Sequence, residues 1–205
     1  MYFIKKHFMF IFVASVLFYE TKDFFDAKWM KVFYHYSGSG VLFSNSSEAL
    51  NCDQLNKFSV LGGLNGNYAP NGKFEFLLEY PGILGYNRWK QTHLPYLNPE
   101  VNGQCAIGYE PVSISWNSQY WCGLVASSHP EVTVLDGSAG FEEWYYSIGT
   151  MKDEWWPKYI PGPGVLVNEV KLWIRIDNIP TKKMVHTKSF FNCLLMNFFI
   201  GFLSS

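Results

Sequence analysis

Two stretches of this chain hold the residue types best suited to gripping a ligand. Asn87-Arg88-Trp89-Lys90-Gln91-Thr92 sets a large flat ring among amide and cationic groups, and Trp116-Asn117-Ser118-Gln119-Tyr120-Trp121 repeats the mixture. Trp and Tyr offer an apolar face to sugar C–H groups or to a partner side chain, while Asn, Gln and Arg supply directional hydrogen bonds. The candidate ligand contacts are therefore Asn87, Arg88, Trp89, Gln91, Asn117 and Tyr120, joined by the Trp155-Trp156 pair. The exposure of Trp173 and of Trp155-Trp156 distinguishes a binding surface from aromatics that only fill a core.

The carboxylates offer a second chemistry. Glu142-Glu143 and Asp153-Glu154 flank Trp144-Tyr145-Tyr146, with Trp155-Trp156 following. A glycosidase needs two carboxyl groups roughly 5–10 Å apart across a sugar bond, and two of Asp136, Glu142, Glu143, Asp153 and Glu154 would supply them. Adjacent acids are also what a solvated face looks like, so binding leads, a glycoside-active enzyme is the alternative, and a purely structural module is the third reading. No catalytic residue is assigned. The chain has no H-E-x-x-H, no phosphate-binding Gly-Lys-[Ser/Thr] and no G-x-S-x-G elbow. His7, His35, His93, His129 and His186 stand apart, and Asp136-Gly137-Ser138 and Asn65-Gly66-Asn67 lack the order of a calcium loop. Neither a metal nor a cofactor is expected.

Cys52, Cys105 and Cys122 lie in the central part of the chain and Cys193 near its end. With no C-x-x-C pair, a structural zinc site is not expected. One disulfide among Cys52, Cys105 and Cys122 has three possible connectivities, each leaving an odd thiol; three buried, reduced cysteines are the other reading. Asn45-Ser46-Ser47 is a glycosylation sequon in a polar stretch, making Asn45 a candidate modification site.

Positioning these residues falls to strands. Phe74, Phe76, Leu78 and Tyr80 alternate with Glu75, Leu77 and Glu79, and Val170, Leu172, Ile174 and Ile176 alternate with Lys171, Trp173 and Arg175. Further runs at Trp29–Tyr36, Val112–Trp116, Tyr120–Val125, Val132–Leu135 and Trp144–Ser147 are separated by turn formers such as Pro70-Asn71-Gly72 and Pro161-Gly162-Pro163-Gly164. Helix is expected only near Ser47–Gln54 and Phe141–Tyr145. The pattern predicts a mostly β chain, a single antiparallel β sandwich or jelly-roll-like domain with short helices and with apolar segments at both ends.

Composition agrees. The chain has 205 residues and net charge −1; 19% are aromatic and only 16% charged, below the roughly 25% charged of an ordinary soluble domain. That balance excludes electrostatic nucleic-acid binding, and so much apolar surface excludes disorder. All eight Trp fall between residues 24 and 176, which mark the expected β-rich module. Residues 1–23, with Lys5-Lys6 before the uncharged run Phe8–Phe18, read as a signal peptide or N-terminal anchor, and 177–205 as an apolar tail, disordered or membrane-associated. A membrane is expected to be met only through these ends.

Taken together, several motifs form a recurring pattern. They are Trp29-Met30-Lys31-Val32-Phe33, Lys73-Phe74-Glu75-Phe76-Leu77-Leu78-Glu79-Tyr80-Pro81, Tyr86-Asn87-Arg88-Trp89-Lys90-Gln91-Thr92, Trp121-Cys122-Gly123-Leu124, Trp144-Tyr145-Tyr146-Ser147-Ile148-Gly149 and Val170-Lys171-Leu172-Trp173-Ile174-Arg175-Ile176. Over about 24–176 the chain resembles an uncharacterised extracellular module of secreted and surface proteins of protists and aquatic invertebrates. It is similar, more distantly, to fibrinogen C-terminal-like domains, without their calcium-site or closing-disulfide pattern. It departs from the module at Cys122, where the pattern has Gly. The resemblance implies a secreted or cell-surface setting, with a glycan or an extracellular protein as partner through adhesion or glycan binding, and it carries no assigned site residue.

Overall fold

The structure is a computed structural model that describes residues 20–25, 27–38, 40–101, 104–116, 120–139, 145–151 and 159–177. In chain order the elements are β1 (Thr21–Phe24), β2 (Ala27–Tyr36), α1 (Ser46–Leu50), β3 (Cys52–Gln54), β4 (Lys57–Ser59), β5 (Phe74–Glu79), β6 (Asn87–Gln91), β7 (Glu110–Ile114), β8 (Val125–Ala126), β9 (Thr133–Asp136), β10 (Ile148–Thr150), β11 (Ile160–Pro161), β12 (Leu166–Val167) and β13 (Glu169–Arg175). The chain is mostly β with short helical turns, in a sandwich-like arrangement of antiparallel sheets, as its periodicity predicts. The main sheet has eight strands in the order β3-β4-β2-β13-β5-β6-β7, with β1 also paired to β2. Strands β10-β9-β8 form a second sheet, and β11 and β12 pair with each other.

Alternation along each strand sorts the main sheet into two faces. Phe76, Leu78, Trp89, Leu172 and Ile174 point inward and pack with Leu124, Leu135, Tyr146 and Ile148 in one core. Opposite Leu172 stands Phe33, but opposite Trp173 stands Lys31, so β2 carries one extra residue, Val32. This bulge buries Val32 and Phe33 together. The outer face bears Glu75, Leu77 and Glu79 from β5, Arg88 and Lys90 from β6, and Lys171, Trp173 and Arg175 from β13.

Two expected strands are displaced, each for a backbone reason. Of Tyr120–Val125 only Val125 pairs, in β8, because Gly123 has φ +96° and its missing side chain admits Ala106, whose Cβ would lie 2.7 Å from a Cβ there. The run expected at Trp144–Ser147 gives way to β10 at Ile148–Thr150, since Tyr146 has φ +59°, a left-handed conformation foreign to a strand. Helix α1 is shorter than the expected span. Asn45 Oδ1 caps it by accepting from the Glu48 N–H at 2.9 Å, and the extended Asn51 leads directly into β3. The helix expected at Phe141–Tyr145 lies outside the described residues except for Tyr145. So do residues 1–19 and 178–205 of the terminal segments, and β1 begins at Thr21. Among the described residues no helix is long and apolar enough to cross a membrane.

Gly149 holds the second sheet against α1. It sits at φ +79°, and a Cβ there would lie 2.4 Å from Val134 Cγ1 and 3.2 Å from Ala49 Cβ. Gly149→Ala is expected to cost about 2 kcal/mol, from backbone strain and overpacking together. Chemical denaturation measures it.

Candidate functional site

On the outer face of the main sheet, charged side chains meet in a braced array. Glu75 on β5 accepts from Arg88 on β6, with Nη2 2.5 Å from Oε1, and from Arg175 on β13, with Nη1 3.1 Å from Oε2. Arg175 continues to Asp177 at 2.5 Å. Register explains the array, because Glu75 lies opposite Lys90 and Leu77 opposite Arg88, which brings the outward charges of neighbouring strands within reach. At the sheet edge, Glu110 of β7 lies between Lys90 at 2.8 Å and Lys73 at 2.9 Å. Hydrogen bonds from Lys90 and then Lys73 hold its carboxyl down at about 2, so Glu110 stays ionised.

These groups surround a cleft of about 380 Å³. Lys73, Lys90, Arg175, Glu75, Glu110 and Asp177 form its charged walls, and the turn Tyr68, Pro70 and Asn71 closes one side. Asp177 also borders a shallower depression of about 600 Å³ lined by Asp23, Phe24, Phe25, Ala27 and Lys28. The hairpin between β1 and β2 lifts Phe25 to the surface, where it is 44% exposed with φ +52°. A side chain in that conformation is strained, and strain of this kind gathers at functional positions. The Phe25 ring lies 4.9 Å from that of Tyr86, and the Arg88 guanidinium stands 5.8 Å over Phe25. One continuous surface thus offers fixed donors and acceptors beside an aromatic shelf.

The residues expected from the sequence to contact a ligand are distributed differently. Asn87, Trp89 and Gln91 share the inward side of β6 and are fully buried. Trp89 Nε1 donates to Gln91 Oε1 at 2.8 Å, and Gln91 Nε2 donates to the carbonyls of His93 and Leu124, so Gln91 is a tie between loops. Arg88 faces outward and anchors the ion pairs. Tyr120 is half-buried, its ring 5.4 Å from that of Tyr145. Asn117, Trp155 and Trp156 lie outside the described residues. Trp173 lies on the outer side, as alternation requires, yet is buried. It packs with Trp29 and Leu77, gives its Nε1–H to Glu79 at 2.9 Å and carries the Lys22 ammonium 4.1 Å above its ring. Trp29, Trp89 and Trp121 are buried too, and Trp116 is half-buried.

Of the acids expected to pair, Asp136 is buried and accepts from the Ser138 N–H and hydroxyl at 2.7 and 2.8 Å. Burial pushes its carboxyl up to about 6 against those hydrogen bonds. Glu142, Glu143, Asp153 and Glu154 lie outside the described residues. Cys52 is buried on β3 with its thiol toward Glu48, while Cys105 is exposed and Cys122 half-buried. Asn45 is exposed at the start of α1. Among the described residues, no group of His, Cys, Asp and Glu could hold a metal ion.

Sequence reasoning missed Lys73, Glu75, Glu110, Arg175 and Asp177 as a site. The signal lay in the outward half of the alternation, read for the strand and not for the charges it aligned. Comparison of the chain with family models, curated proteins and solved structures finds no match.

Proposed function

We propose that this chain is a secreted or cell-surface binding module that takes a glycan in the outer-face cleft, with Phe25 and Tyr68 as its aromatic surfaces. The observation that carries this reading is the braced alternation of Lys73, Glu110, Lys90, Glu75 and Arg175 around about 380 Å³. A sugar hydroxyl both donates and accepts, and here ammonium, guanidinium and carboxylate groups stand side by side, held in place before a ligand arrives. The nearby ring of Phe25 adds an apolar face for C–H groups. A secreted or surface setting is supported by the leader-like Lys5-Lys6 and Phe8–Phe18 run and by the exposed sequon at Asn45.

Binding fits this cleft better than turnover. A glycosidase acid needs a carboxyl raised toward neutrality, whereas Glu110 is held at about 2. Glu75 is committed to two arginines.

A glycan array probed with the full chain, run beside a pull-down from extracellular matrix, tests the proposal. At least one oligosaccharide class should be retained. An array without signal overturns the reading, even where the pull-down retains a protein.

A further inference from the structure

Cys105 and Cys122 are brought together by the backbone. The Ala106 N–H donates to the Cys122 carbonyl at 3.1 Å, so the segments before β7 and before β8 run side by side. One position further on, an ideal Cβ on Gly123 would stand 2.7 Å from Ala106 Cβ, which fixes how closely the two segments approach. Both cysteines are free thiols in the structure, and they neighbour each other beside Tyr109. Cys52 is set apart from them, buried on β3 at the opposite edge of the main sheet from β7.

We infer that Cys105 and Cys122 close a disulfide that staples β7 and, with it, Glu110 in the cleft wall. The bridged backbones bring the two cysteines to neighbouring positions, which a disulfide requires. It chooses one of the three connectivities and leaves Cys52 as a buried thiol. Burial and the Cys105 thiol push the Cys122 thiol up to about 12, the environment of a structural cysteine and not of an activated nucleophile. Cys105, being exposed, is where an external disulfide enters. The Cys105 thiolate attacks one sulfur of oxidised glutathione and expels a first glutathione thiolate. The Cys122 thiol then loses its proton and attacks Cys105 Sγ, expelling a second. Two S–H bonds and one external S–S bond are lost, one internal S–S bond forms, and two glutathione thiols carry away the electron pair and both protons.

The inference is independent of what the cleft binds. Its test is peptide mapping of the full chain after equilibration in a glutathione redox buffer and alkylation under denaturing conditions. A linked Cys105–Cys122 peptide pair, about 2 Da lighter than the two thiol peptides, is expected, with Cys52 alkylated. Reduction should lower the Tm by roughly 5–12 °C. It should leave the Tm of a Cys105→Ser, Cys122→Ser double variant unchanged, and Cys52→Ser should keep the reduction-sensitive Tm. Full alkylation of Cys105 and Cys122, or a link from either to Cys52 or Cys193, overturns the inference whether or not the variants fold.

Discussion

Glu75→Ala is expected to destabilise the fold by about 3–5 kcal/mol, the range for removing one partner of a buried ion pair. Glu75 is 8% exposed and is the shared acceptor of Arg88 and Arg175, donated from strands on either side of β5. Without it the Arg88 guanidinium stays trapped above Trp29, 5.4 Å from the ring, with no carboxylate against it among the ion pairs described. Arg175 keeps Asp177 and suffers less. The cost therefore comes chiefly from one orphaned cation. It follows that Glu75→Leu combined with Arg88→Met, which removes both charges, should cost no more than about 1–2 kcal/mol. Urea denaturation of Glu75→Leu, Arg88→Met and the double variant provides the cycle. A double variant as unstable as Glu75→Ala would contradict this account of the outer face.

A second large effect is masked in the native chain and emerges on substitution. Burial lowers His35 to about 4, further depressed by Lys57 and opposed by its hydrogen bond to the Val41 carbonyl and by Glu48. The unfolded chain therefore takes up this proton first, and stability is lost as pH falls from about 6.5 toward 4. Asp136 has the opposite sign. Its folded value of about 6 lies above its ordinary 3.8, so the native state takes the proton first and stability is gained as pH falls from about 6 toward 4. Each is worth about 3 kcal/mol at most, and across pH 4.5–6 they nearly cancel. Asp136→Asn, which keeps an acceptor for Ser138, should raise stability at pH 7 by up to about 3 kcal/mol and leave a protein that weakens steeply on acidification. His35→Gln should instead give a protein that strengthens from pH 6.5 to 4.5. Glu48 and Glu110, both held low, lose their contributions only below that window. Parallel slopes in the two variants would show that these buried groups do not set the profile.

Local pattern carried much of this architecture and long-range pairing carried the rest. The alternation of Phe74–Glu79 and of Glu169–Arg175 marks β5 and β13 directly, because side chains on a strand alternate faces. Nothing local places β13 between β2 and β5, although that order is what brings Arg175 to Glu75 from 100 residues away. The same limit explains the residues of β6. Asn87, Trp89 and Gln91 carry the chemistry of a binding site, but period two sends all three inward, and only Arg88 and Lys90 reach the face where a ligand could meet them. Trp173 has the converse history, being on the outer side yet hidden beneath Lys22 of a strand that local periodicity did not predict. Tyr146 and Gly123 broke two expected strands through positive φ, which residue hydrophobicity does not report.

Glycan binding by the outer-face cleft and its aromatic shelf is the function proposed above. Its most direct test is one array probed in parallel with the native chain, Phe25→Ala and Lys90→Met. Phe25 is exposed, and the Lys90–Glu110 pair lies at the surface, where solvent screens such pairs and they add little to stability, so both variants should stay folded. Signal is expected for the native chain on at least one oligosaccharide class, reduced tenfold or more in each variant. Equal signal from all three, or none from the native chain, would contradict it.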